Sequence, residues 1–205
     1  MVRLSKKLAL SSVGAMLLVG GGWMWLEESS AARASAAALP APGITRTCNI
    51  VRNPATSFNG GPSVAANTAG AISATTGATT TTPDGRQTTR LIINNTYTKG
   101  HVEGVGDLAI TLDDSRTQPP SSLTSNQARE AYPATQVMRF FPVFILNGEA
   151  FKSADAAELV NSSVTSFPPK PGTVYVLTKH LTLKSAAGNS IDVPPGRAVT
   201  ISNGF

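Results

Sequence analysis

Residues 137–152, VMRFFPVFILNGEAFK, form the stretch that decides the fold. Its first ten residues are the most apolar segment beyond the N-terminus, and Asn147-Gly148 follows them at once. Asn-Gly suits a type I′ turn, because both central residues of that turn need a positive φ. The stretch therefore predicts a β-hairpin. We expect its first strand to lie in the core or in an interface, since such an apolar strand aggregates when it is exposed.

Pro142 stands in the middle of this apolar strand. Proline has no backbone N–H to donate to a neighbouring strand, so within sheets it is confined to strand ends, edges and bulges. We therefore expect the strand to bulge, to end or to lie at an edge at Pro142.

Short stretches rich in β-branched residues flank the hairpin, and Gly- and Pro-rich turns separate them. The pattern predicts strands at 44–51, 91–93, 108–112, 173–178, 180–184, 190–193 and 197–202. Regular short strands are typical of a mainly β protein, and we predict a single β-sandwich or barrel-like domain. A short β-solenoid is the alternative, although the sequence shows no fixed repeat period.

Two segments predict short helices, and one predicts a loop. Ser125 is a candidate N-cap for a helix through Glu130, and Ser153 for a helix through Val160. Residues 67–90 are mostly small and polar, so they offer little apolar surface to offset the entropy of ordering. We predict a mobile low-complexity loop there.

The first 34 residues have the order of an export signal. Three cations within the first seven residues precede the uncharged stretch 8–26, and small residues follow two glutamates. We predict that residues 35–43 form a linker and that residues 44–205 form an exported domain, periplasmic or extracellular.

Two fates of this N-terminal segment stay open. Residues 32–34 and 34–36 both match the A-x-A pattern, which favours cleavage as a signal peptide. An uncharged stretch of about 20 residues is also long enough to span a hydrocarbon core of about 30 Å. The alternative is therefore an uncleaved helix in the inner membrane, with residues 8–26 as the only membrane contact.

The charge distribution disfavours one class of partner, and the cysteine count excludes an intrachain disulfide. The whole chain has a formal net charge of +5, but residues 35–205 carry 13 lysines and arginines against 10 acidic residues, without a basic run. Nucleic-acid binding needs a concentrated basic surface, so that partner is disfavoured. Cys48 is the single cysteine, so no disulfide forms within one chain.

The sequence holds no motif with specific catalytic or cofactor chemistry. Residues 104–109, GVGDLA, formally fit the dinucleotide fingerprint, but strand-like residues follow where that motif needs a helix. The pattern predicts a turn or bulge instead. Asp107, Asp113 and Asp114 lack the spacing of a calcium loop. We predict no cofactor and no metal, and we assign no catalytic residue.

One polar, Gly-rich segment groups side chains suited to a small ligand: Tyr97, His101, Glu103 and Asp107. Phenol, imidazole and carboxylate groups together supply both donors and acceptors of hydrogen bonds. These four residues are therefore the candidate ligand-binding site.

The whole pattern predicts an exported envelope or surface domain that acts by binding or assembly, with an envelope protein or a surface ligand as its partner. Self-assembly through strand edges is also open. One alternative is a membrane-anchored periplasmic subunit of a multiprotein envelope complex, in which residues 137–146 or 199–205 pair with a partner's sheet. The other is a small secreted hydrolase with His101 or His180 as its base.

Overall fold

The structure is a computed structural model, and it describes residues 38–203. The predictions for residues 1–34 lie outside the described residues, as does the beginning of the predicted linker. Across residues 38–203, no helix has the length and apolar character needed to cross a membrane.

The described chain is built from β-strands, and no helix interrupts them between residues 38 and 203. In chain order the strands are β1 (Thr45–Arg52), β2 (Ala55–Phe58), β3 (Val64–Ala65), β4 (Thr68–Thr81), β5 (Gln87–Val102), β6 (Gly106–Leu112), β7 (Ser121–Ser125), β8 (Ala134–Phe140), β9 (Pro142–Leu146), β10 (Glu149–Ser153), β11 (Ala157–Val164), β12 (Val174–Leu177), β13 (Leu181–Ser185), β14 (Ser190–Val193) and β15 (Gly196–Ile201).

Eight of the strands close into an antiparallel barrel, in the order β5, β4, β1, β15, β12, β11, β8 and β7. β5 is 16 residues long, which lets it pair on one side with two different strands. Residues 88–91 pair with β7 and close the ring, whereas residues 97–102 pair with β6. The mainly β, barrel-like prediction is confirmed, and a closed ring has no exposed edge.

The other seven strands lie beside the second half of β5, in the order β6, β9, β10, β13, β14, β2 and β3. β3 is joined to β4 through residues 66–67, and β6 follows β5 through the turn at residues 103–105. Each of the other five is joined to a barrel strand through a break of one to three residues. The breaks are residues 53–54, 141, 154–156, 178–180 and 194–195. Each of these chain segments therefore runs through both parts of the fold as one interrupted strand.

One apolar cluster fills the interior of both parts. Ile50 contributes to it from the barrel, whereas Ile110, Phe151 and Ile191 contribute from the adjoining strands, and each is at most 2% exposed. Burial of one such large side chain stabilises the fold by about 1.5–3 kcal/mol.

A smaller apolar cluster includes Leu39, which precedes β1. The chain next to Leu39 is fixed by Thr76 of β4, whose Oγ1 donates to the carbonyl oxygen of Ala41 at 2.6 Å. The same Oγ1 accepts a hydrogen bond from the backbone N–H of Ile44 at 2.9 Å. The second half of the predicted linker is therefore packed against the barrel.

The predicted hairpin at Asn147-Gly148 is confirmed. The turn joins β9 to β10, and its two residues have φ angles of 50° and 86°. Pro142 also behaves as expected, because β8 ends at Phe140 and β9 begins at Pro142. The predicted turn after Gly104 is confirmed as well, since it separates β5 from β6.

The prediction of a mobile loop near 67–90 is wrong. Residues 68–81 form β4 and residues 87–102 form β5, and the two strands pair along most of their length. The reason is that threonine suits a pleated sheet and bonds to threonine across strands. Thr79 and Thr89 are joined in this way at 2.7 Å, and Thr68 donates to Thr98 at 3.0 Å.

Both predicted helices are also wrong. β7 ends at Ser125, whose Oγ accepts the N–H of Gln87 at 2.8 Å and so makes a cross-strand contact rather than a helix cap. Ser153 ends β10, and β11 follows after three residues. Ala157 and Leu159 both point inward, the spacing of two that belongs to a strand.

The segments expected to pair with a partner's sheet are paired within the chain. β8 and β9 each have a neighbour on both sides, and so does β15. Residues 137–146 and the described part of 199–205 therefore offer no free edge.

Gly70→Ala tests the close approach of β4 to β5. A Cβ at Gly70 would lie 2.0 Å from the carbonyl oxygen of Tyr97, so the paired backbones would have to separate. We expect the free energy of unfolding, measured in urea, to fall by about 2–4 kcal/mol. Gly77→Ala in the same strand is the matched control, because the nearest atom to its Cβ would be Cβ of Arg90, at 3.3 Å. Equal losses in the two variants would contradict this account.

Candidate functional site

Arg52 is the last residue of β1 and points into the barrel. Side chains alternate between the two faces of a strand, so Arg52 shares the inner face with Cys48 and Ile50. Arg52 is only 5% exposed. A cationic side chain is almost never buried this deeply unless it is paired.

The guanidinium of Arg52 has few polar partners. Its Nη2 donates a hydrogen bond of 2.6 Å to Oγ1 of Thr96, whereas its Nε has no hydrogen-bond partner. Its Cζ lies 5.5 Å from the centroid of the Phe140 ring, which is within the range of a cation–π contact. None of the ion pairs formed within residues 38–203 includes Arg52. The positive charge is therefore unbalanced among the described residues.

Desolvation by these surroundings lowers the pKa of Arg52 below its ordinary value, to about 10. The group is still charged at pH 7. Because the unfolded chain holds this proton more tightly, burial of the charge costs the folded state on the order of 3 kcal/mol at neutral pH. That cost is relieved only as the pH rises above about 10.

A cavity of about 30 Å³ lies beside Arg52. Its wall includes a residue next to each of the five strand breaks, and Arg52 is the one charged residue of that wall. The lining residues are Arg52, Pro54, Ile110, Phe140, Pro142, Phe144, Ala157, Leu159, Leu177, Leu181, Val193, Ala198 and Val199. Since one water needs about 10–15 Å³ by this measure, the cavity has room for one or two water-sized species.

The barrel wall next to Arg52 contains a gap in strand pairing. Pairing of β1 with β15 stops at Arg52 and Val199, and pairing of β2 with β14 begins at Ser57 and Asp192. Residues 53–56 and 193–198 lie between these points. We call them the proline seam, because they contain three prolines, which have no N–H to donate.

The proline seam lies between the cavity and solvent. Pro54 and Val193 line the cavity, whereas Asn53, Pro194 and Pro195 are exposed. The cavity is therefore separated from solvent here by a stretch of wall in which β1 and β2 form no ladder with β14 and β15.

This arrangement is suited to binding an anion. A guanidinium offers N–H donors in a fixed plane, and it keeps its charge at any physiological pH. It is neither a nucleophile nor a base under those conditions. The chemistry available at Arg52 is therefore recognition and not bond making.

Sequence reasoning missed Arg52. The signal was present in Ile50-Val51-Arg52, since a spacing of two places Arg52 on the same face as the apolar Ile50. An arginine at a strand end is, however, usually exposed. The burial of Arg52 is evident only in the folded structure, where β4, β15 and the five breaks surround it.

The structure brings together two of the four predicted site residues. His101 and Asp107 face each other across β5 and β6, with Nδ1 and Oδ1 2.7 Å apart. Tyr97 lies four residues earlier on β5, about 13 Å away along the strand, and it lines a different depression. Glu103 is exposed in the turn between the strands. The four residues do not form one pocket, and ligand binding at them stays a prediction.

The two histidines have carboxylate partners. His180 Nε2 lies 3.4 Å from Oδ1 of Asp192, and His101 is paired with Asp107. Within residues 38–203 neither histidine forms a hydrogen bond to a serine or to Cys48. Burial raises the pKa of the Cys48 thiol, which disfavours the reactive thiolate. The described residues thus place no nucleophile in hydrogen-bond contact with either histidine.

Asp113 is buried, and its Oδ1 is hydrogen-bonded to its neighbours. Its Oδ1 accepts hydrogen bonds from the hydroxyl of Ser115 and, at 3.0 Å, from Nζ of Lys152. Those two groups hold the pKa of Asp113 below its ordinary value against the opposing effect of burial. Asp107 lies six residues away, about 20 Å along β6. No group of three or more metal-ligating side chains occurs within residues 38–203.

The barrel and its buried arginine together define this protein as a closed β-barrel with an interior cationic site. No protein-family model matches the chain, and no curated protein sequence matches it. Among solved structures, DynF from the dynemicin biosynthesis pathway of Micromonospora chersina is similar, with a TM-score of 0.64 and 14% sequence identity. The match covers 81% of this chain and 82% of that one. At this identity the likeness shows the fold alone.

Asp113→Asn is expected to reduce the sensitivity of the fold to acid. The folded state binds this proton less readily than the unfolded state, so the stabilisation is present above the ordinary carboxyl pKa near 3.9 and is lost as the pH falls below it. The free energy of unfolding should therefore fall less steeply in the variant between about pH 5 and pH 2. Asp155→Asn, which changes an exposed carboxylate nearby, is the control. If the free energy of unfolding of Asp113→Asn fell with pH as steeply as that of the wild type, Asp113 would not be a source of the acid sensitivity.

Proposed function

We propose that this protein is an exported β-barrel domain that acts by binding, and that it holds an anionic group against Arg52 inside the barrel. The observation that carries the proposal is the buried guanidinium, which has no carboxylate partner among residues 38–203 and a free Nε.

The energetics support a binding role for Arg52. An unpaired buried charge lowers the stability of a fold, and replacement of buried ionic groups by apolar ones is often stabilising. A barrel built only for stability gains nothing from a charge at this position. A bound anion supplies the missing opposite charge and the missing hydrogen-bond acceptor together.

The location of the cavity also supports this role. Its wall is apolar apart from Arg52, and ligand sites typically combine a largely apolar lining with a few polar groups that orient the ligand. The outer-surface pair of His101 and Asp107 already balances its own charges when the histidine is protonated. The interior site therefore has the greater need for an anionic partner, because the charge of Arg52 is unbalanced among the described residues.

The N-terminal pattern supports the exported location. Cations, an uncharged stretch and A-x-A sites occur in the order that export signals require. Leu39 is already packed in the fold, so the folded domain begins only a few residues after the candidate cleavage sites. This spacing suits a signal that is removed from a compact domain.

Arg52→Met separates the binding role from a structural one. Methionine fills irregular apolar space and carries no charge, so we expect the variant without added anions to be more stable by about 1–4 kcal/mol. Stability is measured by urea unfolding in a buffer of low anion content. The variant should also lose the part of the salt stabilisation that comes from an anion bound at Arg52, while it keeps the general salt effect.

Arg90→Met is the matched control for Arg52→Met. It removes the same charge from an exposed position on β5, where solvent already screens the guanidinium. We expect it to leave the stability and the salt response close to those of the wild type. A destabilised Arg52→Met with an unchanged salt response would show that Arg52 is a structural residue.

Export is tested by the intact mass of the protein recovered from separated soluble and membrane fractions. A species that lacks about 34–36 residues in the soluble exported fraction is the expected result. A full-length species in the membrane would indicate the anchored subunit instead. A full-length species in the cytoplasm would contradict export.

A further inference from the structure

We infer that the cavity beside Arg52 selects small monovalent anions that are weakly hydrated, such as nitrate, bromide and chloride, over divalent oxyanions such as sulfate. The inference rests on the proposed function, since it names the class of ligand that the interior site accepts.

The charge of the site sets the charge of the ligand. Arg52 contributes one positive charge, and no other charged side chain lines the cavity. A monovalent anion neutralises that charge, whereas a divalent anion leaves one negative charge unbalanced in an apolar wall. An unbalanced buried charge is costly, so the divalent anion is disfavoured.

The hydrogen-bond capacity of the site agrees with a simple ligand. Arg52 has five N–H donors; one hydrogen bond, from Nη2 to Thr96, is formed within residues 38–203, and the buried Nε has no partner. The remaining wall consists of aliphatic and aromatic side chains and prolines. Sulfate and phosphate carry several acceptor oxygens that need donors, and this wall has none to give them beyond the one guanidinium.

The size of the site limits the ligand to a few atoms. A cavity of about 30 Å³ accepts one or two water-sized species. Because the wall replaces the hydration shell with apolar groups, the anion that loses the least on dehydration binds best. This condition favours nitrate and bromide over chloride, and chloride over sulfate.

The proline seam provides the access route that best suits such a ligand. It is the stretch of wall next to Arg52 where β1 and β2 do not pair with β14 and β15, and five of its residues are exposed. A small ion needs only side-chain movement there, and no ladder hydrogen bond between these strands has to break.

The test is an anion series on the full protein as it is recovered from the cell, with Arg52→Met as the reference. Thermal unfolding is measured in sodium nitrate, bromide, chloride, formate, hexanoate, sulfate and phosphate at equal ionic strength. General salt effects on stability act on both proteins alike, so the wild-type minus variant difference reports the site. The line width of ³⁵Cl NMR gives a direct second measurement, because bound chloride relaxes quickly in the protein.

We expect the wild type alone to broaden the ³⁵Cl line, and nitrate to narrow it again at concentrations about tenfold or more below those that sulfate needs. The difference in melting temperature should follow the same order of anions.

Each of three other outcomes would overturn a defined part of the proposal. Equal displacement by sulfate or phosphate would refute the selectivity but leave anion binding at Arg52. Tighter binding of hexanoate than of formate would refute the small-ligand inference in the same way. No difference between wild type and Arg52→Met with any anion would refute both the inference and the proposed interior site.

Discussion

The divided pairing of β5 is the constraint on which the rest of the structure depends. One 16-residue strand pairs with β7 along its first half and with β6 along its second half. The first pairing closes the eight-strand ring, and the second starts the row of shorter strands that continues the same interior. Without this division, the apolar residues of the two parts would not share one core.

The five strand breaks occur where chain segments pass between the eight-strand ring and the adjoining row. The interior site lies beside these breaks. A strand that passes from the ring to the adjoining row has to change direction, and residues such as Pro54 and Pro142 mark the places where its ladder is interrupted. Around these breaks the side chains do not fill the interior completely, and the cavity lies there. Arg52 is placed beside it because β1 ends at the first break.

The sequence predicts those elements whose cause lies within a few residues. Asn147-Gly148 encodes its own turn, and the alternation in residues 108–112 encodes a strand, so both appear as expected. The pairing of β4 with β5 is not predicted, because the threonines that bond across the two strands lie far apart in the chain. Thr68 and Thr98 illustrate this separation. Arg52 is missed for the same reason, since its burial depends on strands up to about 150 residues distant.

The pairing of β1 with β15 joins Ile50 to Ile201, nearly the two ends of the described chain. A chain is made from its N-terminus, so β1 is available long before its final neighbour exists. Closure of such distant contacts is slow, because the entropy of the loop must be lost before the contacts form. The barrel is therefore assembled only after synthesis of the last strand, and until then the apolar face of β1 needs protection from aggregation.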